Sequence, residues 1–402
     1  MAAKLGPTSC RSMSWQATQP CLSKKFVTAA LSPPGAWVAE SQARAETTAT
    51  APATITALPE TPLPAQTALD ASPHAPLKHL LPGWYALVMG LSGLALAWHR
   101  AVPLMGESAA GVSRLVGALA ALAFGLLAVA TLLRFWHHPE AWAEDRRHPV
   151  RHTFIATLPI SVILLASVVV AQQGPSRPML LLWGAGALAQ LFVTLWVLAR
   201  WLRGNGPGGF HWSSITPALF IPFVGNALVP LAGVPLGQAD WSAAQFGVGL
   251  MFWPVVLVLN VVRIALHGLW PERLLPTAFV LIAPPAVVGL SAAQLGAPLP
   301  VIWALWGMAL FSLLWVGTLA QRIAALPFGL THWGMSFPLA ALAALTLRLT
   351  EPGSAMAALG IGLLALATLV VAALLLGTLR GLRDGSLLAP EPVAVLHPAA
   401  AG

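Results

Sequence analysis

TFIATLPISVILLASVVVA, residues 153–171, is the stretch whose reading decides the fold. It carries no charged side chain and is about the ~20 residues that a helix needs to span a bilayer's hydrocarbon core. Pro159 lies inside it, at a place where a soluble helix would lose a backbone hydrogen bond. Membrane helices carry proline more often. Working outward, nine more segments read the same way: about 82–98, 114–134, 179–199, 215–233, 243–264, 275–293, 300–320, 328–347 and 356–379. Short links between them imply antiparallel neighbours in up-down order. The expected fold class is all-α and integral to a membrane, with ten spanning helices.

The composition agrees. Of 402 residues, 57% are apolar and only 8% charged, where a soluble domain carries about 25% charge. The formal charge of +8 does not point to nucleic acid, because its Lys and Arg are spread thinly between apolar runs. It suits the positive-inside rule. With the N-terminus inside, the inner links and tail hold Arg134, Arg146, Arg147, Arg151, Arg200, Arg203, Arg263, Arg273, Arg322, Arg380 and Arg383. The outer links hold only Arg100, Arg114, Arg177 and Arg348. Both ends are therefore expected in the cytoplasm, with the body in the plasma (inner) membrane.

Three regions follow. Residues 1–77 are rich in Ala, Pro, Ser and Thr and read as a disordered cytoplasmic extension; 78–384 form the membrane body; 385–402 form a short cytoplasmic tail. Cys10 and Cys21 both lie in the extension, so disulfides, thiol catalysis and cysteine-held metal are not expected in the body.

Proline placement carries the most information. Pro159 lies in helix 3, Pro217 and Pro222 in helix 5, Pro284 and Pro285 in helix 7, and Pro338 in helix 9. Helix 1 has Gly90 and Gly93 instead, and among the even helices only helix 6 carries one, Pro254. Proline kinks a helix and frees a carbonyl that must find protein or water. Kinked odd helices should then face inward and line a pore, with Pro159, Pro222, Pro284 and Pro338 at the kinks and the even helices outside. The competing reading is that proline is simply common in membrane helices.

All thirteen Asp and Glu lie outside the ten spans. Ion-coupled carriers usually bury acids, so neutral walls fit passive conduction, and arginines at the mouths would attract anions. Arg151 and Arg273, at the inner ends of helices 3 and 7, are the first candidates, with topology signalling as the alternative. His137, His138, His148 and His152 crowd one inner loop, but no acid or Cys completes a metal set at ordinary spacing. No metal and no cofactor is expected. Glu140, Glu144, Asp145, Arg146 and Arg147 read as a solvated face. Asn226 and Asn260 could line a pore or bond between helices. Phe337, beside Pro338, reads from the residues alone as packing. There is no phosphate loop, nucleophile elbow or dinucleotide fingerprint, and an enzyme is not expected.

The run His148-Pro149-Val150-Arg151, followed by Phe154-Ile155-Ala156-Thr157-Leu158-Pro159-Ile160, resembles the start of helix 3 in the tellurite-resistance/dicarboxylate transporter family. That family includes bacterial tellurite-resistance membrane proteins, plant guard-cell slow anion channels, and yeast malate and sulfite permeases. Thr216-Pro217 with Ile221-Pro222 and Asn226, Pro271 to Thr277 leading to Ala283-Pro284, and Trp333 to Leu339 add to the resemblance, which covers about 80–380. It implies ten helices as five hairpins with pseudo-fivefold symmetry, a pore lined by the odd helices, and a homotrimer with one pore per subunit. It also implies an occluding phenylalanine on helix 9, which falls on Phe337. The expected function is a gated passive channel for small monovalent anions of the chloride or nitrate type; the alternative is a C4-dicarboxylate or sulfite transporter.

Overall fold

The computed structural model describes residues 76–204, 209–210 and 212–388. The expected extension and tail therefore lie almost wholly outside the described residues. Eight helical segments among these are long and apolar enough to cross a membrane. Numbered with two shorter ones in chain order, they are α1 (Pro82–Trp84 running on as Tyr85–Arg100), α2 (Glu107–His137), α3 (Arg151–Gln173), α4 (Arg177–Trp201), α5 (Pro217–Gly233), α6 (Ala239–His267), α7 (Glu272–Gln294), α8 (Leu299–Gly317), α9 (Leu330–Arg348) and α10 (Ala355–Arg383). The two shorter ones are α1 and α5. The α-helical part of α1 has 16 residues, about 24 Å at 1.5 Å per residue. Its leading 3-10 turn adds ~6 Å, which brings it close to the ~30 Å of a bilayer core.

Odd and even segments differ in burial. The most apolar windows of α3, α7 and α9 are 67%, 89% and 78% buried, whereas those of α2, α4, α6, α8 and α10 are 11%, 39%, 17%, 22% and 33% buried. Even segments expose large apolar side chains along their length, among them Leu126, Phe192, Met251, Phe311 and Leu369. In water such a surface would be an aggregation site; against lipid it is the ordinary outer face of a membrane helix. Each odd segment packs on the even one that follows it. Each also touches its odd neighbours, in the cycle α1, α3, α5, α7, α9 and back to α1.

The prolines act differently from mid-helix kinks. Pro159, Pro222, Pro284 with Pro285, and Pro338 all fall in the first turn of an α-helical portion: Thr157–Gln173, Phe220–Val224, Ala283–Gln294 and Ser336–Arg348. Proline has no N–H to bond back to the turn before it, so the hydrogen-bond pattern changes at these points. A 3-10 stretch precedes each: Arg151–Ala156, Pro217–Leu219, Glu272–Ile282 and Leu330–Met335. The prolines thus mark a change of helix type inside α3, α5, α7 and α9. The Pro222 carbonyl is satisfied sideways, by Gln190 Nε2 at 2.8 Å and Thr194 Oγ1 at 2.6 Å on α4 and by Asn226 Nδ2 at 3.1 Å.

Asn226 is a cross-helix connector. Its Nδ2 donates to Thr194 Oγ1 at 2.8 Å, and its Oδ1 accepts from Gln245 Nε2 of α6 at 3.0 Å. The buried Asn260 bonds the Val256 carbonyl of its own helix at 2.9 Å. These bonds tie α4, α5 and α6 without reaching any cavity described below. Of the face expected to be solvated, Glu140, Glu144, Arg146 and Arg147 are exposed, and Asp145 alone is not. In the link helix Pro139–Arg147, Asp145 is 0% exposed and its Oδ2 lies 2.7 Å from Nη1 of Arg134, itself 3% exposed. Four-residue spacing could not reveal this, because the partner sits on α2.

A candidate permeation path

Three cavities follow one another along the odd segments. Near their N-terminal ends is a space of about 360 Å³, the N-end cavity, lined by residues 81–86, 148–154, 273–274 and 327–334. Next is a waist of about 50 Å³, lined from all five odd segments, among others by Met89, Ile160, Val224, Leu228, Val287 and Phe337. Beyond it lies a C-end cavity of about 190 Å³, lined by residues 96–100, 167–171, 231–235, 290–294 and Ala344. On α1, α3, α7 and α9 the chain meets them in that order, so they form one file from end to end.

The waist offers an anion nothing to bind. Its two polar side chains are engaged elsewhere: Thr157 Oγ1 donates to the Pro82 and Phe154 carbonyls at 2.8 and 2.6 Å, and Trp333 Nε1 donates to Thr378 Oγ1 at 2.9 Å. A water needs ~10–15 Å³ of such space and polar partners, so the waist holds few waters at best and is apolar enough to dry. Phe337 lines it and is 8% exposed. The ring lies over Gly93 of α1, where a Cβ would stand 2.8 Å from Phe337 Cδ2. Ser336 meets Gly90 one turn earlier in the same way. The two glycines of α1, whose only proline is its first residue, are the seat of α9.

Of the four sequence-named prolines, Pro338 lines the waist; Pro159, Pro222 and Pro284 are buried beside it without lining it. Arg151 and Arg273 line the same N-end cavity, brought together from α3 and α7. Arg273 is exposed, and its carbonyl accepts from Thr331 Oγ1 at 2.7 Å. Arg151 Nη1 lies 3.1 Å from Glu144 Oε1 and 3.5 Å from Asp145 Oδ1, so the link helix holds it at the rim. Burial pushes the Asp145 carboxyl above the ordinary aspartate range, against the opposing pull of Arg134 and Arg151. His152 bonds the His148 carbonyl at 2.9 Å. Among the described residues no three His, Cys, Asp or Glu side chains are grouped to hold a metal ion.

Sequence reasoning missed Asp145 and the C-end cavity. The first hid in a loop of mixed charge. The second is built from helix ends whose charges read only as topology.

A protein-family profile described as a voltage-dependent anion channel matches residues 79–379, which include every residue of the waist. The chain is 24% identical over 302 residues to the S-type anion channel SLAH2 of Arabidopsis thaliana, covering 72% of this chain and 57% of that protein. It is 25% identical over 269 residues to the tellurite resistance protein TehA homolog of Haemophilus influenzae, covering 65% of this chain and 78% of that protein. It is 24% identical over 241 residues to the malic acid transport protein of Schizosaccharomyces pombe, covering 55% and 54%.

Proposed function

As the chain belongs to the voltage-dependent anion channel family, we propose that it is a multi-pass membrane protein conducting small monovalent anions such as chloride or nitrate passively. The observation that carries this is the file of three cavities with arginine at both mouths and no acid in the waist. Residues 78–384 are the conducting body: ten spans as five hairpins, odd segments around the axis and even segments against lipid. Phe337 is the gate, blocking by bulk and by keeping the waist dry. Arg151 and Arg273 draw anions to the N-end mouth. The burial contrast, the cycle of odd-segment contacts and the excess of inner-link arginine support this arrangement. The same excess supports cytoplasmic termini, with the body placed in the plasma (inner) membrane. The family resemblance carries a homotrimer with one path per subunit, which crosslinking in native membranes tests.

The likeness to a malic acid transport protein favours a second reading, uptake of C4-dicarboxylates. The waist is too small for such an ion unless α9 moves, whereas Phe337 need only turn aside for chloride. Purified protein in sealed vesicles separates the two. Chloride or nitrate efflux that is dissipative and independent of a partner ion supports the channel. Labelled-malate uptake without inorganic anion leak overturns it.

A further inference from the structure

The C-end cavity has a composition that the gating account does not use. Arg100 and His99 reach it from the last turn of α1, and Gln294 reaches it from the last residue of α7. No acid lines it. Among the described residues, none of these three side chains has a hydrogen-bond or ion-pair partner. Arg348, another basic residue, ends α9. One cavity thus collects a guanidinium, an amide and an imidazole, all able to donate, with no carboxylate to take their protons.

The surrounding backbone sharpens the point. All five odd segments end here, at Arg100, Gln173, Gly233, Gln294 and Arg348. Each helix C-terminus carries roughly half a negative charge, felt within its last turn. A passing anion leaving or approaching by this mouth therefore meets five repelling carbonyl ends, while at the N-end mouth it meets the attractive ends of the same segments. The bland account of Arg100 is that it complements the C-terminus of α1 alone. That account leaves Gln294, and the gathering of all three side chains around one cavity, unexplained.

The geometry points to a second anion site, formed by Arg100, His99 and Gln294, that binds a small inorganic anion in the C-end cavity and offsets the field of the helix ends. It rests on the reading of the three cavities as one anion path. The ligand class is a halide or a small planar oxoanion, since about 190 Å³ must also hold its water.

Nitrate is the probe, and the full chain is used throughout. In detergent at low ionic strength, nitrate should raise the Tm of wild type, as a ligand that binds only the folded state does. Arg100→Gln should need several-fold more nitrate for the same rise, and Arg100→Lys should restore it. In oriented bilayers with nitrate on the C-end side only, Arg100→Gln should lower current roughly threefold at low salt, where the Debye length is ~30 Å. Current driven from the N-end side should be unchanged. The site is overturned if Arg100→Gln matches wild type in both readouts, or loses current equally from both sides. Should wild type carry no anion current, the channel reading falls. The nitrate shift then decides the site alone: loss in Arg100→Gln upholds it, and retention overturns it.

Discussion

At the scale of single residues, the account turns on Phe337. Its ring lines the waist and rests over Gly93, so truncation opens the path and removes a contact at once. Phe337→Ala is expected to raise basal anion conductance about tenfold or more, the effect of removing ~1.4 kcal/mol of barrier. Normal membrane levels with wild-type current would leave the ring as packing only. Gly93→Ala adds a methyl where the ring sits, forcing it off its seat toward the axis. It should lower wild-type current and be silent in the Phe337→Ala background; an equal effect in both backgrounds would show that the two side chains do not act together. Neutralising Arg151 and Arg273 together should lower current more at 10 mM than at 1 M salt, because the Debye length falls from ~30 to ~3 Å. Equal currents at both ionic strengths would leave these arginines only their part in topology.

At the scale of elements, the link helix Pro139–Arg147 and the helix-type switches matter most. Asp145 joins α2 to α3 by facing Arg134 at 2.7 Å and Arg151 at 3.5 Å. Asp145→Ala leaves the buried Arg134 guanidinium only its bond to the Lys78 carbonyl at 3.2 Å, and removing one partner of a buried pair costs about 3–5 kcal/mol. Thermal unfolding in detergent measures it, and a Tm equal to wild type would refute the pairing as a structural tie. The pH dependence has a definite sign. The carboxyl titrates above its unfolded value because burial outweighs its arginine partners. Its contribution to stability is therefore greatest below the unfolded pKa and is lost as pH rises through the folded pKa. Asp145→Asn should flatten that part of the stability profile. The proline pattern was legible as a feature of the odd segments, but its form was not. A window of sequence shows proline within a long apolar run. Whether that run is one kinked α-helix or a 3-10 stretch feeding an α-helix depends on backbone bonds that pattern does not encode.

At the scale of the molecule, hydropathy alone located the helical segments, because each must run apolar for most of a bilayer's thickness whatever it packs against. The alternation of buried odd and exposed even segments was legible from proline placement. The two glycines of α1 were visible, but their partner, α9, lies over two hundred residues away and gave no local sign. Arg100 was legible only as an outer-link charge, since its neighbours Gln294 and Arg348 come from distant helix ends. Cysteine scanning with a charged thiol reagent, after Cys10 and Cys21 are replaced, should label the odd segments from the aqueous path. Labelling confined to the even segments would contradict the inner ring.

The central claim is that this file of cavities conducts anions passively through a waist closed by Phe337. Electrical recording of the purified protein in planar bilayers under an anion gradient tests it most directly. The account predicts a current whose reversal potential follows the chloride or nitrate gradient and which grows in Phe337→Ala. A reversal potential that follows the cation gradient, or bilayers that stay silent for wild type and Phe337→Ala alike, would contradict it.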